Sequence, residues 1–193
     1  MTLGELAEVR QGLTLRGGLL ARSPAFKGPH LLKIGDLTDF GEIRIDVVQP
    51  IEVANAFARR FSVQTGDVVI ANRGNRMTAA MIPEGLDAIA SGQLVILRIT
   101  SQLVEKEYVH WYLNLERTQK LLFSLTRGSL VRTLSVKVLK QEIDVPIPSR
   151  EVQMGVVRLA KLAARESELV RGIDSFRKKF LEAVLVKHIV ERS

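Results

Sequence analysis

The chain is divided by the stretch Ile143-Asp144-Val145-Pro146-Ile147-Pro148-Ser149. Proline fixes its own φ and restricts the residue before it, so the two prolines predict a stiff, extended break. Ser149 then stands where a helix N-cap is expected, and residues 150–190 contain no proline. We therefore predict two parts, residues 1–148 and residues 149–193.

The second part has the pattern of one long helix from about Arg150 to Val190, which would be a rod about 60 Å long. Its apolar residues recur at alternating spacings of four and three, with a stutter near Glu166, which is typical of a coiled coil. One stripe comprises Val152, Val156, Leu159, Ala163, Glu166, Val170 and Ile173, and a shifted one comprises Leu169, Ile173, Phe176, Phe180 and Ala183. We expect a partner helix in a second copy of the chain, and the alternative is a hairpin that folds back near Gly172.

The first part alternates short apolar runs with turn residues, which predicts strands. The predicted strands are Leu31–Ile34, Ile43–Ile45, Asp67–Ala71 and Gln93–Ile99. Thr2 with Glu5 has the pattern of a capping box that opens a short helix, and Glu105–Leu125 is the longest helical run. Because strands and helices do not alternate regularly, we predict an α+β fold with a mixed sheet.

Composition limits the possible functions. The 193 residues include 28 basic and 21 acidic side chains, a net charge of +7 that suits a polyanionic partner or simply a mildly basic protein. The absence of cysteine excludes a disulfide framework, a thiol nucleophile and a cysteine zinc site. The N-terminus lacks the apolar segment of a signal peptide and no run is long enough to span a membrane, so we expect a cytoplasmic protein.

No motif in the sequence predicts catalysis. The three histidines, His30, His110 and His188, have no metal-ligand spacing, and the acidic residues are dispersed. A phosphate-binding P-loop is absent, and Gly12 with Gly17 and Gly18 is expected to follow a helix rather than the strand that a dinucleotide fingerprint requires. We therefore expect no enzyme activity, no cofactor and no metal site.

Two basic loops are the candidate binding sites. The first basic loop, residues 72–76, reads Asn-Arg-Gly-Asn-Arg, and arginine and asparagine are the side chains best suited to guanine and adenine edges. The second basic loop, residues 126–135, combines arginines with hydroxyls that suit phosphates. The candidates are Asn72, Arg73, Asn75 and Arg76 in the first loop and Arg127, Ser129, Arg132 and Thr133 in the second.

Each of these assignments has a structural alternative. The first loop has the composition of an ordinary solvated turn, and Arg127 would also suit the C-terminal end of a helix dipole, with Gly128 as the C′ residue. A third basic stretch around Arg16 and Arg22 is either a DNA-facing loop or an ordinary surface loop. The basic run Arg177-Lys178-Lys179 favours a solvated helix face.

The order of the segments resembles the target-recognition half of Type I restriction–modification specificity subunits, over nearly the whole chain. The matching segments are Leu3–Val9 with Gly12, Ile34–Leu37, Gly66–Ala71, Glu107–Leu113, Gly128–Ser129 with Leu134–Ser135 and Leu139, and Ile143–Pro148. The sequence departs from the family where Val152 separates Glu151 from Gln153, since the family usually has Glu-Gln there.

The resemblance implies a function. A specificity subunit has two target-recognition domains and two antiparallel spacer helices, reads a bipartite site on double-stranded DNA, and recruits adenine methyltransferase subunits, with a restriction subunit as a further partner. This chain resembles half of one, with a target-recognition domain at 1–148 and a spacer and dimerisation helix at 149–193. A homodimer would form through Leu159, Ile173, Phe176 and Phe180.

The alternative from another class is a non-catalytic adaptor whose basic loops bind acidic proteins and whose helix forms a coiled coil. Salt-dependent binding to duplex DNA separates the two functions. A nuclease is a weaker third alternative, because the sequence has no acidic cluster for a metal.

Overall fold

The computed structural model describes residues 1–14, 28–38, 40–45, 49–51, 60–128 and 132–190. The chain forms two compact units, an N-terminal unit, Met1–Gln153, and a C-terminal unit, Met154–Ser193. In the described part of the chain, no helix has the length and apolar character that a membrane span needs.

The larger sheet of the N-terminal unit has four antiparallel strands in the order β1-β7-β4-β5. The strands are β1 (Ala7–Gln11), β4 (Val68–Ala71), β5 (Ala79–Met81) and β7 (Leu94–Ile99). All four residues of β4 are buried, as a central strand of apolar, mostly β-branched residues should be. The predicted strands at Asp67–Ala71 and Gln93–Ile99 are therefore confirmed.

The smaller sheet has three strands in the order β3-β2-β6, and β2 pairs with β6 in parallel. Its strands are β2 (His30–Leu32), β3 (Gln49–Pro50) and β6 (Ala88–Ala90). Leu32 of this sheet packs in the same buried cluster as Val69 and Ile96 of the larger sheet. The two sheets thus share a core, and the predicted α+β fold is confirmed.

Five α-helices complete the described structure: α1 (Leu3–Leu6), α2 (Lys106–Asn114), α3 (Glu116–Ser124), α4 (Val136–Glu142) and α5 (Arg150–Val190). The predicted contact at the start of α1 is present, because the Glu5 carboxylate accepts hydrogen bonds from the Thr2 N–H at 2.6 Å and the Thr2 hydroxyl at 2.9 Å. The single helix predicted over Glu105–Leu125 is wrong. Leu115 has extended backbone, with ψ 138°, and separates α2 from α3.

Two further predictions are corrected. Gly12 follows strand β1 rather than a helix, so the stated reason for excluding a dinucleotide site does not hold. A Cβ on Gly12 would lie 2.2 Å from the Ser91 carbonyl oxygen, so this glycine serves a close backbone approach. Ile43 makes only an isolated bridge to Leu37, and no strand forms over Ile43–Ile45.

The Gly66-Asp67 pair before β4 has a clear structural role. Gly66 has φ +84°, and the nearly buried Asp67 carboxylate accepts hydrogen bonds from Arg98 Nε at 2.9 Å and Nη2 at 2.7 Å. The hydrogen bonds with Asp67 raise the pKa of Arg98. This bidentate pair ties the start of β4 to the neighbouring strand β7.

The first turn of α5 belongs to the N-terminal unit and is fixed by hydrogen bonds within that unit. The Ser149 hydroxyl accepts a hydrogen bond from the Val152 N–H at 3.4 Å, which confirms the predicted cap. Gln153 is 1% exposed, and its amide donates to the Leu103 and Pro148 carbonyls and accepts from the Glu105 N–H. Val152, where the sequence departs from the family pattern, does not prevent this role. The Gln153 side chain makes hydrogen bonds with three backbone groups.

The described part of the C-terminal unit is the continuation of α5 from Met154 to Val190, and the predicted long helix is confirmed. Its large apolar side chains are exposed, including the predicted dimerisation residues: Leu159 at 69%, Ile173 at 51%, Phe176 at 71% and Phe180 at 59%. A helix with this much exposed apolar surface is typical of one that binds a partner.

Candidate nucleic-acid interface

The two basic loops are separated by 49 residues of sequence, 77–125, and lie side by side. The Leu134 N–H donates to the Asn72 carbonyl at 2.7 Å, and Arg73 and Thr133 form an antiparallel bridge. The loops are therefore joined through their main chains. This contact makes one surface out of two sites that the sequence shows separately.

The second basic loop is closed by its own backbone. The Arg127 N–H donates to the Thr133 carbonyl at 3.0 Å, and the Thr133 N–H donates to the Arg127 carbonyl at 2.8 Å. Gly128, directly after Arg127, has φ +118°. Helix α3 ends at Ser124 with Leu125 as its C-cap, so the prediction that Gly128 is the helix C′ residue is wrong. Gly128 instead supplies a left-handed conformation within the loop.

The candidate side chains of the first basic loop differ in exposure. Asn72 is 3% exposed, and its amide donates to the Gly92 carbonyl at 3.3 Å. Arg73 is half-buried, while Asn75 and Arg76 are exposed. Burial suits Asn72 to supporting the loop, and exposure suits Asn75 and Arg76 to contacting a ligand. The DNA contacts predicted for all four residues remain predictions.

In the second loop, Arg127 and Arg132 are exposed and Thr133 is half-buried. The Arg132 guanidinium lies 4.6 Å from the centre of the Phe123 ring, a cation–π distance that orients the side chain. Ser129, Arg16 and Arg22, which the sequence also proposed, lie outside the described residues.

A groove of about 590 Å³ lies between the first basic loop and helices α2 and α3. It is lined by Asn75, Arg76, Asn114, Glu116, Gln119, Lys120 and Phe123. Asn114 supports the groove by donating to the Ala79 carbonyl and accepting from the Ala79 N–H. The Gln119 amide donates to the carbonyls of Met77 and Leu113. The two amides therefore connect the helices to the backbone just after the first basic loop.

Helix α3 contributes residues that the sequence analysis missed. Glu116, Lys120 and Phe123 follow the spacing i, i+4, i+7, which places them on one face of a helix. Lys120 Nζ lies 2.7 Å from Glu116 Oε1. The spacing can be recognised in the sequence. It indicates a shared groove only when the structure shows that the first basic loop lies beside α3.

The described histidines and acidic residues are the other side chains that could bind a metal. Within the described ranges, no three His, Asp or Glu side chains are grouped as metal ligands would be. His110 Nε2 lies 3.2 Å from the Gly41 carbonyl oxygen and 3.1 Å from that of Ala79. Burial lowers the pKa of His110, which suits a neutral imidazole that bridges two backbone carbonyls.

No protein-family model and no curated protein sequence matches the chain. Solved structures do match. A chain from a structure of complex assembly and conformational transition in the type I R-M system has a TM-score of 0.67 at 17% identity, covering 88% of this chain and 39% of that chain. The HsdS subunit from Thermoanaerobacter tengcongensis has a TM-score of 0.62 at 17% identity, with coverages of 89% and 38%.

The S subunit of the Type-I restriction-modification system from M. genitalium matches with a TM-score of 0.57 at 15% identity, covering 92% of this chain and 42% of that chain. The fold is therefore that of a portion of Type I restriction–modification S subunits, and the fold expected from the sequence resemblance is confirmed. The chain spans about two fifths of the length of the subunits that it matches.

Proposed function

We propose that this chain is a DNA-recognition module, equivalent to half of a Type I specificity subunit, that selects the sequence at which a partner methyltransferase acts. The observation that carries this proposal is the union of the two basic loops on one exposed surface of an S-subunit fold. The fold likeness favours DNA recognition over the adaptor alternative. In this function the chain has no catalytic role, and the partner subunit carries out the methylation.

The roles within the surface follow from side-chain chemistry. Arg76 and Asn75 are exposed at the tip of the first basic loop, and their forked or amide groups match base edges in the major groove. Arg127 and Arg132 are exposed on the second basic loop, where guanidinium groups suit phosphates. The first loop would thus read bases while the second positions the backbone of the duplex.

We extend the proposal to assembly. Residues 1–148 serve as the target-recognition domain and residues 149–193 as the spacer helix. The exposed stripes of α5 pair with those of a second copy, most simply about a two-fold axis. Two identical domains would read identical half-sites, so the DNA site would be bipartite and palindromic. The methyltransferase subunit, and a restriction subunit beyond it, would bind this dimer.

The test is a binding titration of the intact chain with duplex DNA over a range of salt concentrations. For a DNA-binding module, the logarithm of the binding constant should fall linearly with the logarithm of the salt concentration, and the slope should steepen by about 0.9 for each phosphate contacted. The chain should also enrich one motif from a randomised duplex library. A protein that binds an acidic polypeptide at least as well as duplex DNA, and enriches no motif, would instead be the adaptor.

A further inference from the structure

The groove between α3 and the first basic loop contains a carboxylate among positively charged groups. Glu116 lines it together with Arg76 and Lys120, and all three side chains are exposed. Within the described residues, Arg76 and Asn75 have no side-chain hydrogen-bond partner. These two side chains are therefore available to a ligand that enters the groove.

A surface that bound only phosphates would gain nothing from a carboxylate in this position. A negative charge beside a polyanion weakens binding, in the same way that each added cation strengthens it. The hydrogen bond with Lys120 lowers the pKa of Glu116, so at neutral pH the side chain is ionised and can only accept hydrogen bonds. The group that it suits is a hydrogen-bond donor on the ligand.

The bases of duplex DNA present such donors. The major groove exposes the exocyclic amino group of cytosine, and glutamate accepts a hydrogen bond from it, whereas arginine and asparagine bind the guanine and adenine edges. The groove also holds Phe123, whose ring supplies the apolar surface that can contact a thymine methyl group. Its lining thus combines an acceptor, donors and an apolar group.

We infer that Glu116, beside Arg76 and Asn75 in the groove, is a specificity-determining residue that reads the amino group of a cytosine in the recognised site. The inference rests on the proposed function, because it names one base contact of the proposed reader. Lys120 is its positioning residue: the Lys120–Glu116 ion pair orients the carboxylate. Glu116 would increase the preference for cytosine over other bases without increasing the affinity for duplex DNA in general. A phosphate-binding arginine would do the reverse.

The ordinary role for Glu116 is structural. It is the first residue of α3, where a negative charge stabilises the helix dipole, and an i,i+4 pair with lysine adds a little more. That role affects the stability of the protein and leaves the choice of DNA sequence unchanged. The two roles therefore separate in one experiment that measures both quantities.

The experiment selects bound duplexes from a randomised library with the intact wild-type chain, with Glu116→Gln and with the control Glu84→Gln, another exposed carboxylate outside the groove. In Glu116→Gln we expect the preference for cytosine at one position of each half-site to fall by between about 5-fold and 150-fold. Affinity for random duplex should stay equal or rise. Glu84→Gln should retain the wild-type motif, and thermal unfolding should confirm that both variants fold.

A wild-type motif that Glu116→Gln reproduces unchanged would overturn the inference and leave the proposed function standing. A wild-type chain that enriches no motif would overturn the proposed function, and this inference with it. Lys120→Gln provides a second measurement: as the positioning residue it should weaken the same cytosine preference, and a changed salt slope with an intact motif would make Lys120 a phosphate contact instead.

Discussion

The N-terminal unit and α5 use the same apolar residue types in opposite ways. Leu97 in β7 is 0% exposed, while Leu159 and Leu162 in α5 are 69% and 62% exposed. The N-terminal unit closes a core with residues of its own sequence, so its stability depends on internal packing. The large apolar side chains of α5 are exposed in the single chain, and on our proposal a second copy covers them, so that the stability of this helix depends on assembly.

The largest expected effect is on the stability of the proposed dimer, and it tests whether α5 depends on assembly. Replacing Phe176 or Phe180 by alanine removes a large apolar side chain from a proposed interface where each residue occurs twice. At about 1.5–3 kcal/mol for each buried side chain, either substitution should cost the dimer about 3–6 kcal/mol. Sedimentation equilibrium at tens of micromolar should then show a dimer for the intact chain and a monomer for the variants.

The matched control for this prediction is Lys178→Ala, which removes an exposed side chain outside the two apolar stripes and should leave the dimer intact. An intact chain that sediments as a monomer contradicts the assembly proposal. Point substitutions are preferable to a chain that ends at Pro148, because that truncation also removes Gln153, whose buried amide satisfies three backbone groups.

The second expected effect compares two leucines directly. Leu97→Ala leaves a cavity in the core of the N-terminal unit and should lower its free energy of unfolding by about 2–5 kcal/mol. Leu162→Ala should change that quantity by less than about 0.5 kcal/mol, as is usual for exposed positions. Trp111, the only tryptophan, lies in α2 and reports the unfolding of this unit by fluorescence. Equal losses in the two variants would contradict the division of stability.

The third expected effect compares arginines of the two regions. Arg76→Ala should reduce the free energy of binding to the specific site by about 1–3 kcal/mol and weaken the preference for that site over other sequences. The same result is expected for Arg73→Ala, at the half-buried neighbour. Arg177→Ala, on the helix, should leave specific binding unchanged at protein concentrations where the dimer is intact. Fluorescence anisotropy with matched specific and random duplexes measures both quantities. Unchanged preference in Arg76→Ala would remove the first basic loop from base reading.

The smallest expected effect concerns the second basic loop. Arg127→Ala and Arg132→Ala should weaken specific and random DNA alike and reduce the salt slope by about one unit for each contact removed. Lys178→Ala, on the helix, should not change the slope. If both arginine variants keep the wild-type slope, the loop does not contact phosphates.

The sequence predicted those features of the fold that depend on local signals. The Pro146–Pro148 break and the Ser149 cap located the start of α5, and apolar runs beside turn residues located β4 and β7. The misreadings also arose from local signals. The capping residues of α1 correctly predicted a short helix, but β1, which follows it directly, was not predicted. The spacing over Glu105–Leu125 concealed the break at Leu115.

The candidate site was less predictable, because its organisation depends on contacts between distant segments. Residue types identified Arg76 and Arg132, but nothing local indicates that the two basic loops meet. The hydrogen bond from Leu134 to Asn72 joins the two loops, and helix α3 lines a groove together with the first of them. Glu116 and Lys120 have the i,i+4 spacing of an ordinary ion pair on a helix, and nothing in the sequence relates them to the two loops.

The main-chain hydrogen bonds that join the two loops have an evolutionary consequence. Backbone N–H and carbonyl groups are the same in nearly every residue, so these contacts persist when the exposed side chains at Asn75, Arg76 and Arg132 are replaced. Substitutions at such positions can alter what the surface binds while the supporting framework keeps its geometry. On our proposal, such a surface can acquire a new binding preference through point mutations that leave its main-chain hydrogen bonds in place.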